Sequence, residues 1–82
     1  MGEVMSYDEA VDAAVPIFRR ILEQKPEGWD WQNDSAFDLL GELRGDWLKE
    51  RPDSLSGLSG AQAAMAVTVA YQEWREAKKV GE

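Results

Sequence analysis

Six carboxylates recur at four-residue steps: Asp30, Asp34, Asp38, Glu42, Asp46 and Glu50. Ionised carboxylates accept hydrogen bonds and attract cations, so the chemistry such a series offers is recognition of positive charge. On a helix every step of four rotates by about 40°, so the five from Asp34 to Glu50 sweep about 160° over about 24 Å of axis. Like charges at this spacing oppose helix formation by about 0.2–0.5 kcal/mol per pair. Acids toward the C-terminal end, such as Asp46 and Glu50, also face the negative pole of the helix dipole. Arg44 and Lys49 compensate only in part. A series held against these penalties is expected to project together from one helix as a negative ridge.

Other chemistries fail on residue type or spacing. The chain contains no Cys and no His. That removes thiol nucleophiles, disulfides, Cys/His zinc sites and the imidazole base in one step. Carboxylates spread along a helix do not wrap one ion, and the loop spacing of an EF-hand is missing. Hydrolysis by paired carboxylates needs a cleft, which a bundle of 82 residues rarely provides. No phosphate-cradling Gly-rich loop is present. The expectation is a non-enzymatic chain without catalytic, cofactor or metal residues.

The charge balance narrows the partner. Sixteen acidic against nine basic residues give a formal charge of −7. Direct binding of nucleic acid or of an anionic membrane needs a basic face, and neither is expected. A basic protein surface is the natural complement, a nucleic-acid-binding enzyme among its bearers. The ridge would then stand in for phosphates. Trp29 and Trp31 flank Asp30 between Gly28 and Asn33, where burying both is hard. One of them is a candidate apolar anchor beside the ridge, since interface hot spots favour Trp. The candidate partner-binding set is therefore Asp30, Asp34, Asp38, Glu42, Asp46, Glu50, Trp29 and Trp31.

These groups must be positioned by helices. Apolar residues make up 44% of the chain and charged residues 30%, an ordinary globular mix. We expect a single all-α domain, residues 1–82, built as a small three-helix bundle. The first helix is predicted over 7–24. Ser6 and Glu9 have capping-box spacing, and Tyr7, Ala10/Val11, Ala14, Phe18 and Ile21/Leu22 form one apolar stripe. Pro16 predicts a kink, or a break into 7–14 and 16–24. The second helix is predicted over 35–50, capped by Asp34 or Ser35, with Ala36/Phe37, Leu40, Leu43 and Trp47/Leu48 on its apolar face. Gly41 and Gly45 inside it suggest close packing of another backbone, or weakness.

The third helix is predicted over 60–79, opened by a second capping-box pair, Ser59 and Gln62. Between Ala61 and Tyr71 only Gln62 and Thr68 are polar. A helix apolar nearly all round is either central to its fold or shared, which raises homodimerisation through this Ala-rich segment. Trp47 and Trp74 fall on apolar faces and are expected in the core. The opening residues Met1 to Ser6 lack the basic and apolar regions of a signal peptide. No apolar run approaches the ~20 residues of a membrane span. With no Cys, a reducing, cytoplasmic setting is expected.

Two resemblances follow from short stretches. Asp53-Ser54-Leu55 resembles the attachment motif of acyl and peptidyl carrier proteins, which implies phosphopantetheine joined to Ser54. That family places an acidic helix directly after the Ser, whereas here a Ser/Gly loop follows. Gln72-Glu73-Trp74-Arg75, with the chain length and the acidic helices, is similar in type to the small immunity proteins that block nuclease bacteriocins. That family's aromatic recognition motif is missing. The function expected is a small acidic binding module of inhibitor type: an antitoxin, an immunity protein or a phage anti-defence protein. The alternatives are a structural subunit assembling through the third helix, and a carrier-like domain modified at Ser54.

Overall fold

The computed structural model of the protein describes residues 6–31 and 35–80. Asp34 of the carboxylate series, and Met1 to Met5, lie outside them. Three α-helices follow one another: α1 (Tyr7–Glu23), α2 (Ala36–Glu50) and α3 (Gly60–Val80). A short 3₁₀ turn, η1 (Asp53–Leu55), joins α2 to α3. The three-helix, all-α architecture agrees with the sequence expectation, and each helix end lies within a residue of its predicted place.

Local chemistry explains those ends. At α1 the Ser6 Oγ accepts from the Glu9 N–H at 3.2 Å, and Glu9 Oε1 accepts from the Ser6 N–H at 3.3 Å. At α3 the same reciprocal pair joins Ser59 and Gln62, at 3.1 and 3.0 Å. The Gln62 amide also donates to the Tyr7 carbonyl at 3.3 Å, tying the N-termini of α1 and α3 together. Of the two candidate caps for α2, Ser35 accepts from the Asp38 N–H at 3.3 Å. Each cap satisfies backbone donors that a helix start leaves without partners. After α1, Pro26 to Trp29 forms a turn closed by the Trp29 N–H to the Pro26 carbonyl at 3.0 Å. Its third residue, Gly28, has φ +89°, the conformation that a type II turn assigns to glycine.

Pro16 does not break α1, which runs unbroken from Tyr7 to Glu23. The proline is exposed, while Ala14, Ile17 and Phe18 beside it are buried. Packing on both sides of the missing backbone bond holds the helix together, so of the kink or break expected at Pro16 the break does not occur.

The core is one cluster to which every helix contributes. From α1 come Val11, Ala14, Ile17, Phe18, Ile21 and Leu22, and from α2 Leu39, Leu43 and Trp47. Leu55 of η1 closes one end. Helix α3 packs on both other helices, most extensively on α1. Ala14 of α1 and Ala66 and Ala70 of α3 are completely buried. Phe18 stacks on Trp47 with ring centroids 4.5 Å apart and planes 14° apart, locking α1 to α2.

The buried face of α2 is rotated from the one expected. Leu39, Leu43 and Trp47 point inward, whereas Phe37 and Leu48 are exposed. The stripe Leu39–Leu43–Trp47 falls on one arc, and Phe37 and Leu48 lie about 100° or more away from its centre. Gly41 and Gly45 sit in open space, with nothing within 4 Å of an added Cβ. No backbone packs there, so of the two explanations for these glycines, weakness is the one that fits. Replacing either Gly41 or Gly45 by Ala should therefore raise stability by about 0.4–1 kcal/mol in urea unfolding. Gly28→Ala should lower it by about 1 kcal/mol, because its backbone conformation disfavours any Cβ.

Candidate functional site

The carboxylate series divides in three. Asp30 lies before α2, and its Oδ1 accepts from the Trp31 N–H at 2.8 Å. The Tyr71 hydroxyl of α3 sits 2.7 Å from the same oxygen and 3.1 Å from the Trp31 carbonyl. With one proton to give, it donates at the shorter distance. Asp30 thus pins the connector to α3 and is not a member of the ridge.

Asp46 and Glu50, at the far end of α2, are exposed but committed. Asp46 Oδ2 lies 3.6 Å from the Lys25 ammonium, and Glu50 Oε1 lies 3.5 Å from the Arg20 guanidinium. Both cations belong to α1 and the residues directly after it. The rotation of about 40° per step has carried the series around to the side of α2 that faces α1. Each pair is worth less than about 1 kcal/mol at such exposure, yet each fixes the direction of a carboxylate. This corrects the expectation of one continuous ridge turned to water.

Asp38 and Glu42 remain. Both are exposed on the outer side of α2, and Glu42 has no ion-pair partner among the described residues. Gly41 and Gly45 lie beside them without side chains, the exposed Lys49 stands within about 20° of both around the axis, and the exposed Phe37 and Leu48 lie about 80–140° away. The outward face of α2 therefore carries two carboxylates and the Lys49 ammonium, with apolar groups at its margin.

Neither Trp29 nor Trp31 stands free. Both are half-buried and packed against the core. Trp29 meets Trp74 edge-on at 5.6 Å, and the Lys25 ammonium lies 5.5 Å from the Trp29 ring. Trp74 also receives Tyr71 at 5.7 Å and the Lys78 ammonium at 4.3 Å. Connector and α3 are joined by this aromatic and cationic cluster. Trp47 and Trp74 are buried, as expected. Glu73, in the stretch resembling the immunity proteins, is 3.1 Å from Arg19 and so binds α3 to α1. Ser54 is exposed within η1, with no acidic helix after it.

Among the described residues the large exposed apolar ones are Tyr7, Phe37, Leu48, Met65 and Val69. Phe37 and Leu48 were assigned to a core face from sequence, and Met65 and Val69 gave no warning beyond the all-round apolarity of α3. The signal available for Phe37 was its distance around the helix from Leu39, Leu43 and Trp47. No group of three or more carboxylates among the described residues is placed to hold a metal ion. No described helix is long and apolar enough to cross a membrane.

The Asp30–Tyr71 contact has a pH signature. The Tyr71 hydroxyl, opposed by burial and helped by the Trp31 N–H and the charges of Arg75 and Lys78, holds the Asp30 carboxyl below its ordinary 3.8. Burial and then the Asp30 carboxylate push the Tyr71 hydroxyl above 10.0. A depressed carboxyl contributes stability that is complete above its unfolded value and lost as pH falls through the folded one. A raised phenol contributes stability that is present below its unfolded value and lost as pH rises through the folded one. Tyr71→Phe should thus reduce stability by no more than about 1 kcal/mol across the neutral range. Urea midpoints should show that deficit shrinking below about pH 4 and again above about pH 10. Comparison of the chain with family models, with curated proteins and with solved structures finds no match.

Proposed function

We propose that the protein is a non-enzymatic binding module that docks the outer face of α2 on a basic surface of a partner protein. The observation that carries this reading is the placement of Asp38 and Glu42. They stand exposed beside two glycines, with Lys49 farther along the same face and Phe37 and Leu48 exposed at its margin. A face selected only for solubility would be expected to omit a solvated Phe. Acid beside an apolar group suits an interface in which charge guides the encounter and burial of the apolar group slows dissociation. The net charge of −7 acts in the same direction over longer range.

Within this class, inhibition is the role we favour: an antitoxin, an immunity protein or a phage anti-defence protein that covers the basic site of a nucleic-acid-handling enzyme. The anchor assigned to Trp29 or Trp31 passes to Phe37, because both tryptophans serve the scaffold. Asp46 and Glu50 contribute to the field and direct α1 against α2. A carrier role at Ser54 draws no further support from its place in η1.

Self-association through α3 is a second reading, favoured by the exposure of Met65 and Val69. Light scattering after size exclusion separates the two. A monomer at tens of micromolar argues for the binding module, and a dimer insensitive to substitution on α2 argues for assembly.

Binding to a basic partner should weaken steeply as salt is raised from roughly 50 to 500 mM, because the Debye length shrinks several-fold over that range. Asp38→Lys combined with Glu42→Lys should abolish capture of that partner while circular dichroism and the unfolding midpoint stay close to those of the parent. Capture indifferent to both salt and this double reversal would overturn the proposal.

A further inference from the structure

A second feature lies on the α3 side of Phe37. A depression of about 470 Å³ opens between the N-terminal halves of α2 and α3. Its walls include Phe37, Ala61, Ala64, Met65, Thr68 and Val69. Thr68 is the one residue here with a side-chain hydroxyl, and that group already donates to the Ala64 carbonyl at 2.8 Å. What the trough presents is therefore apolar. Phe37 is 64% exposed, Met65 47% and Val69 39%, and they are brought together from two helices. Scattered exposed apolar residues are ordinary, but a gathered set marks a binding groove.

We propose that this trough seats the apolar face of a basic, amphipathic helix of the partner protein. The inference rests on the function proposed above and names the form of the partner that reaches the same end of α2.

Three observations select this occupant. The first is length. Ala61, Met65 and Val69 follow one another at four-residue steps, about 6 Å each, so the trough runs about 12 Å along α3. That matches apolar residues one turn apart on a docking helix.

The second is charge. At Val69 the surface continues into a depression lined also by Asp12, Val15 and Glu73. Arg19 and Arg20 line it too, but Arg19 is paired with Glu23 and Glu73, and Arg20 with Glu50. Asp12 is exposed and has no ion-pair partner among the described residues. On the other side Asp38 follows Phe37 directly and is exposed. The trough is thus approached past carboxylates at Val69 and Phe37, Arg19 and Arg20 are already engaged, and Arg75, in the depression beside Ala36 and Thr68, lies over the Tyr71 ring. Lys and Arg on either side of an apolar seam would complement it.

The third is area. A stable dimer buries about 800 Å² and about 20–30 residues on each partner. The trough is lined by a handful of residues. A second copy would have to extend the contact over acidic flanks while bringing its own charge of −7. One helix needs neither.

Three synthetic peptides test the proposal on the full chain. The first is a helical peptide with Leu at i, i+3, i+4 and i+7 and Lys elsewhere. The second keeps the Lys and replaces every Leu by Ser. The third keeps the Leu and replaces every Lys by Glu. The Leu/Lys peptide should bind, should shift the methyl resonance of Met65, and should lose about tenfold in affinity with either Met65→Ser or Phe37→Ser. Both positions are exposed, so these variants should fold. The Ser/Lys peptide should bind more weakly and leave the Met65 methyl unmoved.

Equal binding of the Leu/Lys and Ser/Lys peptides, indifferent to Met65→Ser, would overturn the trough and leave the acidic face of α2 standing. Failure of both basic peptides would overturn the two together. Equal binding of the Leu/Glu peptide would overturn the basic character assigned to the occupant. A dimer of the chain alone, converted to monomer by Met65→Ser, would give the trough to a second copy and overturn the proposal.

Discussion

A four-residue repeat cannot stay on one face of a helix that turns every 3.6 residues. This mismatch governs where the charged side chains of α2 point. The carboxylates of α2 begin on its outer side with Asp38 and Glu42 and drift toward α1, where Lys25 and Arg20 receive Asp46 and Glu50. One sequence pattern therefore does two jobs. Its first half faces away from the bundle, and its second half sets how two helices meet. Because the second half is anchored, the first half is held at a defined angle to the rest of the bundle.

That anchoring needs a core able to resist mutual repulsion in a chain of net charge −7. Burial of large side chains supplies only part of it. Ala14 of α1 and Ala66 and Ala70 of α3 are without solvent exposure, so small side chains fill part of the core beside Phe18, Leu22 and Val67. Phe18 on Trp47 then ties α2 to the pair. The same economy of side chains leaves Met65 and Val69 uncovered, because a three-helix bundle has no fourth element to lie over the outer side of α3. The apolar trough and the acidic face are thus two consequences of one small architecture.

Helix number and helix ends were legible because their signals are local. Ser6 with Glu9 and Ser59 with Gln62 act within one turn, so spacing alone reveals them. The stripe of α1 was legible because Val11, Ala14, Phe18, Ile21 and Leu22 share a single arc. Helix α2 was not, since Phe37, Leu40 and Leu48 offer a second arc that competes with Leu39, Leu43 and Trp47. Only the partner helices decide between them. The continuity of α1 through Pro16 was hidden for the same reason, as tertiary packing overrode a local penalty. Trp29 and Trp31 were placed in a loop correctly, but their folding back onto Trp74 and Tyr71 depends on contacts distant in sequence. Lys25 with Asp46 and Arg20 with Glu50 were beyond sequence, because nothing in the spacing tells which face of α2 meets α1.

The division of the carboxylate series is tested most directly by a charge-swap cycle read as unfolding free energy. The account predicts that Asp46→Lys destabilises, that Lys25→Glu does so too, and that together they recover a coupling of about 0.2–1 kcal/mol. Glu42→Lys in the same background should stay within about 0.5 kcal/mol of the parent. No coupling between positions 25 and 46, or a loss at Glu42 as large as that at Asp46, would contradict it.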